Sequence, residues 1–188
     1  MTSRYGPTAH ERRFAEYLGD LVKRQDRASL AAIRRGLQAP PGEVAEVHRY
    51  VVPWLPQEIP RWTEDCYYIV ASLFASHQIS WIDSEASSTT PYTNLGASFA
   101  RLAAGEEGDS VERRFTAVLN SDREDVHIHL RHAVSLLKSK DVPIDWAQLL
   151  NDLRFWEEPG VHRRWARAFW SDTSMDLNNE QSAVAAAQ

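Results

Sequence analysis

The hydrophobic residues of this chain recur at spacings of three and four, the period of an amphipathic helix. Capping residues and prolines bound these stripes. Thr8 with Glu11 has the form of a capping box, Ser121 with Glu124 repeats it, and Pro40 ends the second stripe. No segment alternates apolar and polar residues between hairpin turns, so no strand is predicted. The predicted helices cover about 8–24, 26–39, 43–52, 62–78, 95–104, 109–119, 122–138, 146–156 and 161–170.

This order of elements predicts an all-α fold made of two small packed helical bundles. We place the N-terminal helical bundle at 8–90 and the C-terminal helical bundle at 91–170. A segment rich in serine and threonine, 80–94, is predicted to be a loop. The tail, 171–188, has no basic residue and no apolar stripe, so it is predicted to be disordered.

Tryptophans and arginines are interleaved near the C-terminus, which is compatible with two different structures. Exposed rings among basic groups would stack bases, whereas rings that share a face with aliphatic residues would fill a core. Trp146 lies at helical spacing from Leu149 and Leu153, and Trp165 lies at helical spacing from Val161 and Phe169. The spacing therefore favours core positions for Trp146, Trp156 and Trp165. The arginines of the segment fall mostly off these faces: Arg154, Arg163, Arg164 and Arg167.

Cysteine content and hydropathy indicate a cytoplasmic protein without a membrane span. Cys66 is the single cysteine, so an intrachain disulfide is impossible, which suits a reducing compartment. The N-terminal residues contain no apolar stretch of the kind that signal peptides carry. The longest charge-free run, 66–82, is shorter than the roughly 20 apolar residues that cross a bilayer.

Three histidines raise the alternative of a metal site, but their spacing argues against it. His127 and His129 are two residues apart and face different sides of a helix, while His132 and Asp125 add too few converging ligands. Cys66 lies in an apolar run and is predicted to be a buried structural thiol. Glycine-rich phosphate loops and hydrolase or zinc-protease motifs are absent from the sequence. We therefore predict no metal, no cofactor and no enzymatic activity.

The net charge of −5 hides an uneven distribution. Residues 12–42 contain seven basic and three acidic residues. Residues 43–112 contain three basic and eleven acidic residues, and residues 113–140 contain six basic and three acidic residues. A basic stripe on helices binds phosphates without reading bases, although each cluster alone is also typical of a solvated helix face. The candidate nucleic-acid-binding residues lie off the apolar stripes: Arg27, Arg34, Arg35, Arg113, Arg114, Arg131 and Lys138.

The order of several short motifs between about residues 12 and 170 resembles the CasB family, the small subunit of the type I-E CRISPR surveillance complex called Cascade. Each motif is weak alone, and their order makes the resemblance specific. The motifs are LAAIRRGL, YVVPWLP, TNLGASFARLAA, VERRFTAVLNSDREDVHIHLRHAVSLLK, IDWAQLLNDLRFW and WARAFW.

The resemblance implies a non-enzymatic, all-α subunit present in two copies beside the backbone and large subunits of Cascade. It implies contacts with the guide RNA–target DNA heteroduplex and with the displaced DNA strand. The family's basic positions fall on Arg34 and Arg35, on Arg113 and Arg114, and on Arg131. The alternative is an all-α interaction or regulatory protein whose basic residues bind an acidic protein partner.

Overall fold

The computed structural model describes residues 6–81, 93–104 and 108–171, and this part of the chain is helical, as predicted. Its only β-type contact there is an isolated parallel bridge between Ser80 and Ile144. The predictions for the serine-rich loop and the C-terminal tail fall mainly on 82–92 and 172–188, outside the described residues. The helices are α1 Ala9–Lys23, α2 Arg27–Arg34, α3 Ala45–Val51, α4 Arg61–Ser76, α5 Leu95–Ala103, α6 Gly108–Leu119, α7 Val126–Ser139, α8 Trp146–Arg154 and α9 159–171.

Side-chain caps begin several of these helices, and the predicted capping box of Thr8 with Glu11 is confirmed. Thr8 accepts the backbone N–H of Glu11, and the Glu11 carboxylate accepts the N–H of Thr8, which is the reciprocal capping box. Asp26, Asn94 and Asp145 each accept a backbone N–H three residues on, at the start of α2, α5 and α8.

Two predicted helix boundaries are wrong. The second helix does not continue in α geometry to Pro40: α2 ends at Arg34 and a 3-10 helix, Arg35–Gln38, follows. Ser121 does not cap α7, which begins only at Val126. The Ser121 hydroxyl instead donates to the C=O of Val118 at 2.6 Å, so it satisfies the end of α6.

The helix α4 lies at the centre of the fold. Every residue from Cys66 to Ala75 is buried, and the helix packs against α1, α2, α3, α7 and α8. A helix that is apolar on all sides requires cover on all sides. The buried residues form one cluster that draws on both predicted bundles, and the division near residue 90 stays a prediction. None of the helices in the described residues is long and apolar enough to cross a bilayer.

The core interpretation of the tryptophans is confirmed for Trp146, Trp156 and Trp165, which are all buried. The rings of Trp156 and Trp165 meet edge to face with centroids 5.1 Å apart. Trp170 differs from them, because 37% of it is exposed while it packs against Phe115. Three of the four rings in this segment are therefore unavailable for stacking on bases.

A buried carboxylate, Asp152, joins α8 to α9. The indole N–H of Trp165 donates to its Oδ2 at 2.6 Å, and Gln148 and Arg164 donate to its Oδ1 at 2.9 and 3.0 Å. Burial raises the pKa of Asp152, while the three donors act in the opposite direction. Arg164 is thus not simply a solvated residue off the core face.

A second buried carboxylate, Glu11, joins α1 to α8. One oxygen completes the capping box, and the other pairs with the guanidinium of Arg154. Glu11 is fully buried, whereas the Arg154 side chain is 27% exposed. The expectation that Arg154 lies off the core is wrong, because its positive charge compensates the buried carboxylate of Glu11.

The helices α5 and α9 approach each other at Gly96. A Cβ at this position would lie 2.1 Å from the backbone oxygen of Trp165. Only a residue without a side chain permits this crossing, so Gly96 fixes how closely α9 docks on the core.

We predict that Trp165→Ala lowers the free energy of unfolding by about 3–5 kcal/mol, because it opens a cavity in the core and removes a donor from the buried carboxylate of Asp152. Urea unfolding measures this cost. Trp170→Ala is the matched control and should cost clearly less, because that ring is partly exposed. Equal costs for the two variants would contradict the core assignment.

We also predict that His77 makes stability pH-dependent. His77 is buried, its Nε2–H donates to the C=O of Val142 at 2.7 Å, and burial lowers its pKa below 6.5. As pH falls below about 6.5 the unfolded chain binds a proton that the folded chain still refuses, so stability is lost. His77→Gln lacks this titration, and its stability difference from the parent should shrink on acidification. Urea unfolding between pH 7.5 and 5.5 tests this, and a constant difference would contradict it.

Candidate nucleic-acid interface

The candidate basic residues of α2 lie at the edge of a depression formed with the end of α4. Arg27 and Arg34 are exposed, stand two helical turns apart on one face and line this depression together with Gln78. The opposite face of α2 carries Leu30 and Ile33 into the core. Burial of that apolar face directs both guanidinium groups outward.

Arg131 is hydrogen-bonded to the 3-10 helix that carries Arg35. The Nη1 of Arg131 on α7 donates to the C=O of Leu37 at 2.7 Å, and Leu37 lies in the same 3-10 helix as Arg35. Arg35 also pairs with Glu46 on α3, with the arginine side chain 53% exposed. Such exposed pairs contribute little stability, so the guanidinium of Arg35 remains available to an anion.

Lys138 lies two turns after Arg131 on the same face of α7, near the end of α4. Burial lowers the pKa of His77, and the nearby charge of Lys138 lowers it further. His77 donates to the C=O of Val142, and the N–H of Val142 donates to the C=O of Leu137, so hydrogen bonds connect the end of α4 to the residue before Lys138. We call the five residues around the C-terminal half of α4 the basic surface: Arg27, Arg34, Arg35, Arg131 and Lys138.

The remaining candidates, Arg113 and Arg114, are exposed on α6. The Nε of Arg113 donates to the C=O of Asp109 at 3.2 Å, and Arg113 lines a shallow depression with Asp109, Glu112 and Thr116. This depression shares no residue with the one at Arg27 and Arg34. A single surface through all seven candidates stays a prediction.

A cavity of about 250 Å³ lies beside the basic surface, under the connection from α2 to α3. The chain from Gly36 to Gly42 forms one wall, α4 forms the floor, and α7 forms the other wall with His127, Ile128, Arg131 and His132. None of the residues that line it is acidic. Its floor is fixed in part by a 2.7 Å hydrogen bond between the Tyr68 hydroxyl and Nδ1 of His48.

The histidines and the cysteine do not assemble into a metal-binding group in the part of the chain that the structure describes. No three His, Cys, Asp or Glu side chains converge there. Cys66 is fully buried, and burial raises the pKa of its thiol far above the ordinary value. A thiol held protonated and inaccessible is a poor nucleophile.

Sequence patterns alone missed part of this site. Gln78 and the backbone oxygen of Leu37 carry no signal in the sequence, because both become relevant only through neighbours distant along the chain. His127 and His132 are candidate metal ligands by residue type, whereas the structure places them on a cavity wall. Their separation of five residues gives no clear helical face from which a shared cavity is predictable.

Comparison with known proteins identifies relatives along most of the chain. The family profile described as CRISPR-associated protein Cse2 matches residues 29–170. A CRISPR-associated protein Cse2 of Thermus thermophilus is 35% identical over 150 residues, which are 76% of this chain and 79% of that protein.

Solved structures of similar fold include members of the same family. The crystal structure of M. ruber CasB is 33% identical and matches with a TM-score of 0.71 over 90% of this chain and 97% of that one. A chain of a CRISPR RNA-guided surveillance complex is 28% identical, with a TM-score of 0.76 over 91% of this chain and 97% of that one. The resemblance seen in the order of motifs is confirmed, and the chain belongs to the CRISPR-associated Cse2 family, also called CasB.

Proposed function

We propose that this protein is a non-enzymatic subunit of a CRISPR RNA-guided surveillance complex and that its basic surface contacts nucleic-acid phosphates there. Family membership and the similarity to a chain of such a complex support the first part. The observation that carries the second part is the gathering of five exposed cations from α2, the 3-10 helix and α7 around one end of α4.

The ligands proposed for this surface are the guide RNA–target DNA heteroduplex and the displaced DNA strand. In RNA-guided recognition base pairing supplies sequence specificity, and the protein supplies contacts to the backbone. Arginine contacts to phosphates position a strand without reading it. The overall charge of −5 makes the isolated chain a weak binder, so neighbouring subunits must contribute charge.

The proposed protein partners are the backbone and large subunits of the complex and a second copy of this chain. A second candidate function uses the same surface: an interaction or regulatory protein that binds an acidic protein partner. The ion pair of Arg35 with Glu46 supports this alternative, because it shows an arginine of the basic surface bound to a carboxylate. Nucleic-acid binding and its salt dependence separate the two functions.

We predict that Arg34→Ala/Arg35→Ala weakens binding of target DNA and of the displaced strand by the assembled complex. Arg113→Ala/Arg114→Ala should also weaken this binding if the arginines of α6 contact phosphates. Each lost phosphate contact should lower the slope of log K against log salt by about 0.7–0.9, so the deficit should narrow as salt rises. Electrophoretic mobility shifts at several salt concentrations measure both effects.

The matched control is Arg12→Ala/Arg13→Ala, which removes two exposed charges from α1 that line neither the depression at Arg27 and Arg34 nor the cavity at Arg131. All three double variants should fold and assemble, because exposed substitutions cost little stability. If Arg34→Ala/Arg35→Ala assembles normally and binds as tightly as the control at every salt concentration, the phosphate-binding role is wrong. The acidic-partner function then becomes the better one.

A further inference from the structure

The cavity under the α2–α3 connection is continuous with the basic surface. Arg131 belongs to both, and the lining begins at Gly36, directly after Arg35. The cavity opens to solvent at Gln38, Ile128 and His132, which are exposed. A strand whose phosphates lie on the basic surface would therefore pass its mouth.

The lining has the chemistry that recognises an unpaired base. The imidazoles of His127 and His132 and the guanidinium of Arg131 are planar groups of the kind on which bases stack. They lie on one wall, opposite the backbone of residues 36–42. The absence of acidic groups from the lining removes repulsion of the phosphates that flank a base.

Polar groups in the cavity match a base edge as well. The hydroxyl of Ser72 and the side-chain amide of Gln38 each donate and accept, so they serve any arrangement of donors and acceptors on a base. The remaining lining is largely aliphatic, with Val47, Ile69 and Leu73. An apolar floor with a few polar groups is the usual composition of a small-ligand site.

Size restricts the ligand further. A volume of about 250 Å³ is below the roughly 300–1,000 Å³ of sites for drug-sized ligands, and it accommodates one base rather than a stack of them. Bases within a duplex enter such a pocket only after they leave the stack, at a cost in free energy. A single strand presents them without that cost.

We propose that this cavity captures one unpaired nucleobase of the strand whose phosphates the basic surface holds. The inference rests on the proposed function and adds to it a contact that phosphates alone do not supply. It implies that the protein distinguishes a strand with bases from an equally charged strand without them, and it assigns the single strand as the preferred ligand.

The test compares two strands of equal length and charge on the full chain at low ionic strength. One is a short oligothymidylate, and the other is the same backbone made of abasic residues. Loss of one stacked base should weaken binding roughly 5- to 150-fold. The salt slope should stay the same for both strands, because the number of phosphates is unchanged. Fluorescence anisotropy measures both quantities.

The histidines of α7 provide matched variants. His127→Ala/His132→Ala removes both rings from the cavity wall, whereas His129→Ala removes a ring of the same helix that does not line the cavity. The double variant should bind the two strands with nearly equal affinity, and His129→Ala should retain the parent's preference. If the double variant fails to fold, the affinities of the parent for the two strands still test whether the protein binds a base.

Thymidine 5′-monophosphate provides a second measurement, in which one base carries a single phosphate instead of a chain of phosphates. It should shift the imidazole NMR signals of His127 and His132 and leave that of His129 unchanged. Equal affinity of the parent for both strands, or unshifted signals, would overturn the cavity inference. The proposed function would survive that result if Arg34→Ala/Arg35→Ala still loses both strands. Shifted signals, together with assembled complexes in which Arg34→Ala/Arg35→Ala binds as tightly as the control, would instead sink the proposed function and leave the cavity as a nucleotide site.

Discussion

Ten consecutive residues of α4, Cys66 to Ala75, are buried, so every side of this helix needs a covering neighbour. Five α-helices and the 3-10 helix Arg35–Gln38 supply that cover, and their positions around α4 set the rest of the architecture. The buried face of α2 and the stripe of α7 both pack here, which turns their charged faces outward. Burial of one apolar helix thus determines where the basic residues emerge.

Two buried carboxylates hold the C-terminal helices to this centre. Asp152 on α8 accepts side-chain hydrogen bonds from Arg164 and Trp165 of α9 and a third from Gln148 of its own helix. Glu11 links the start of α1 to Arg154 at the end of α8. A buried charge without partners would cost several kcal/mol. The complete sets of donors explain why the chain tolerates both groups, and they restrict how α1, α8 and α9 can pack.

The basic surface and the cavity beside it are consequences of the same packing. The 3-10 helix after α2 carries Arg35 outward, while its backbone oxygen at Leu37 accepts Arg131 from α7. The chain that follows, through Gly42 with its φ of 78°, turns back over Tyr68 and leaves the cavity between itself and α7. The basic surface and the cavity therefore share Arg131.

The sequence by itself determined the helical class, most helix positions, the core positions of Trp146, Trp156 and Trp165, and the exposure of the seven candidate nucleic-acid-binding residues. These properties follow from local chemistry, since periodicity, caps and prolines act within a few residues. It did not determine that α2 ends early, that Ser121 serves α6, or that Arg154 and Arg164 face buried carboxylates. Only the tertiary structure brings Arg131 to Leu37 and His132 to a cavity, because those contacts join segments that are distant along the chain and close in space.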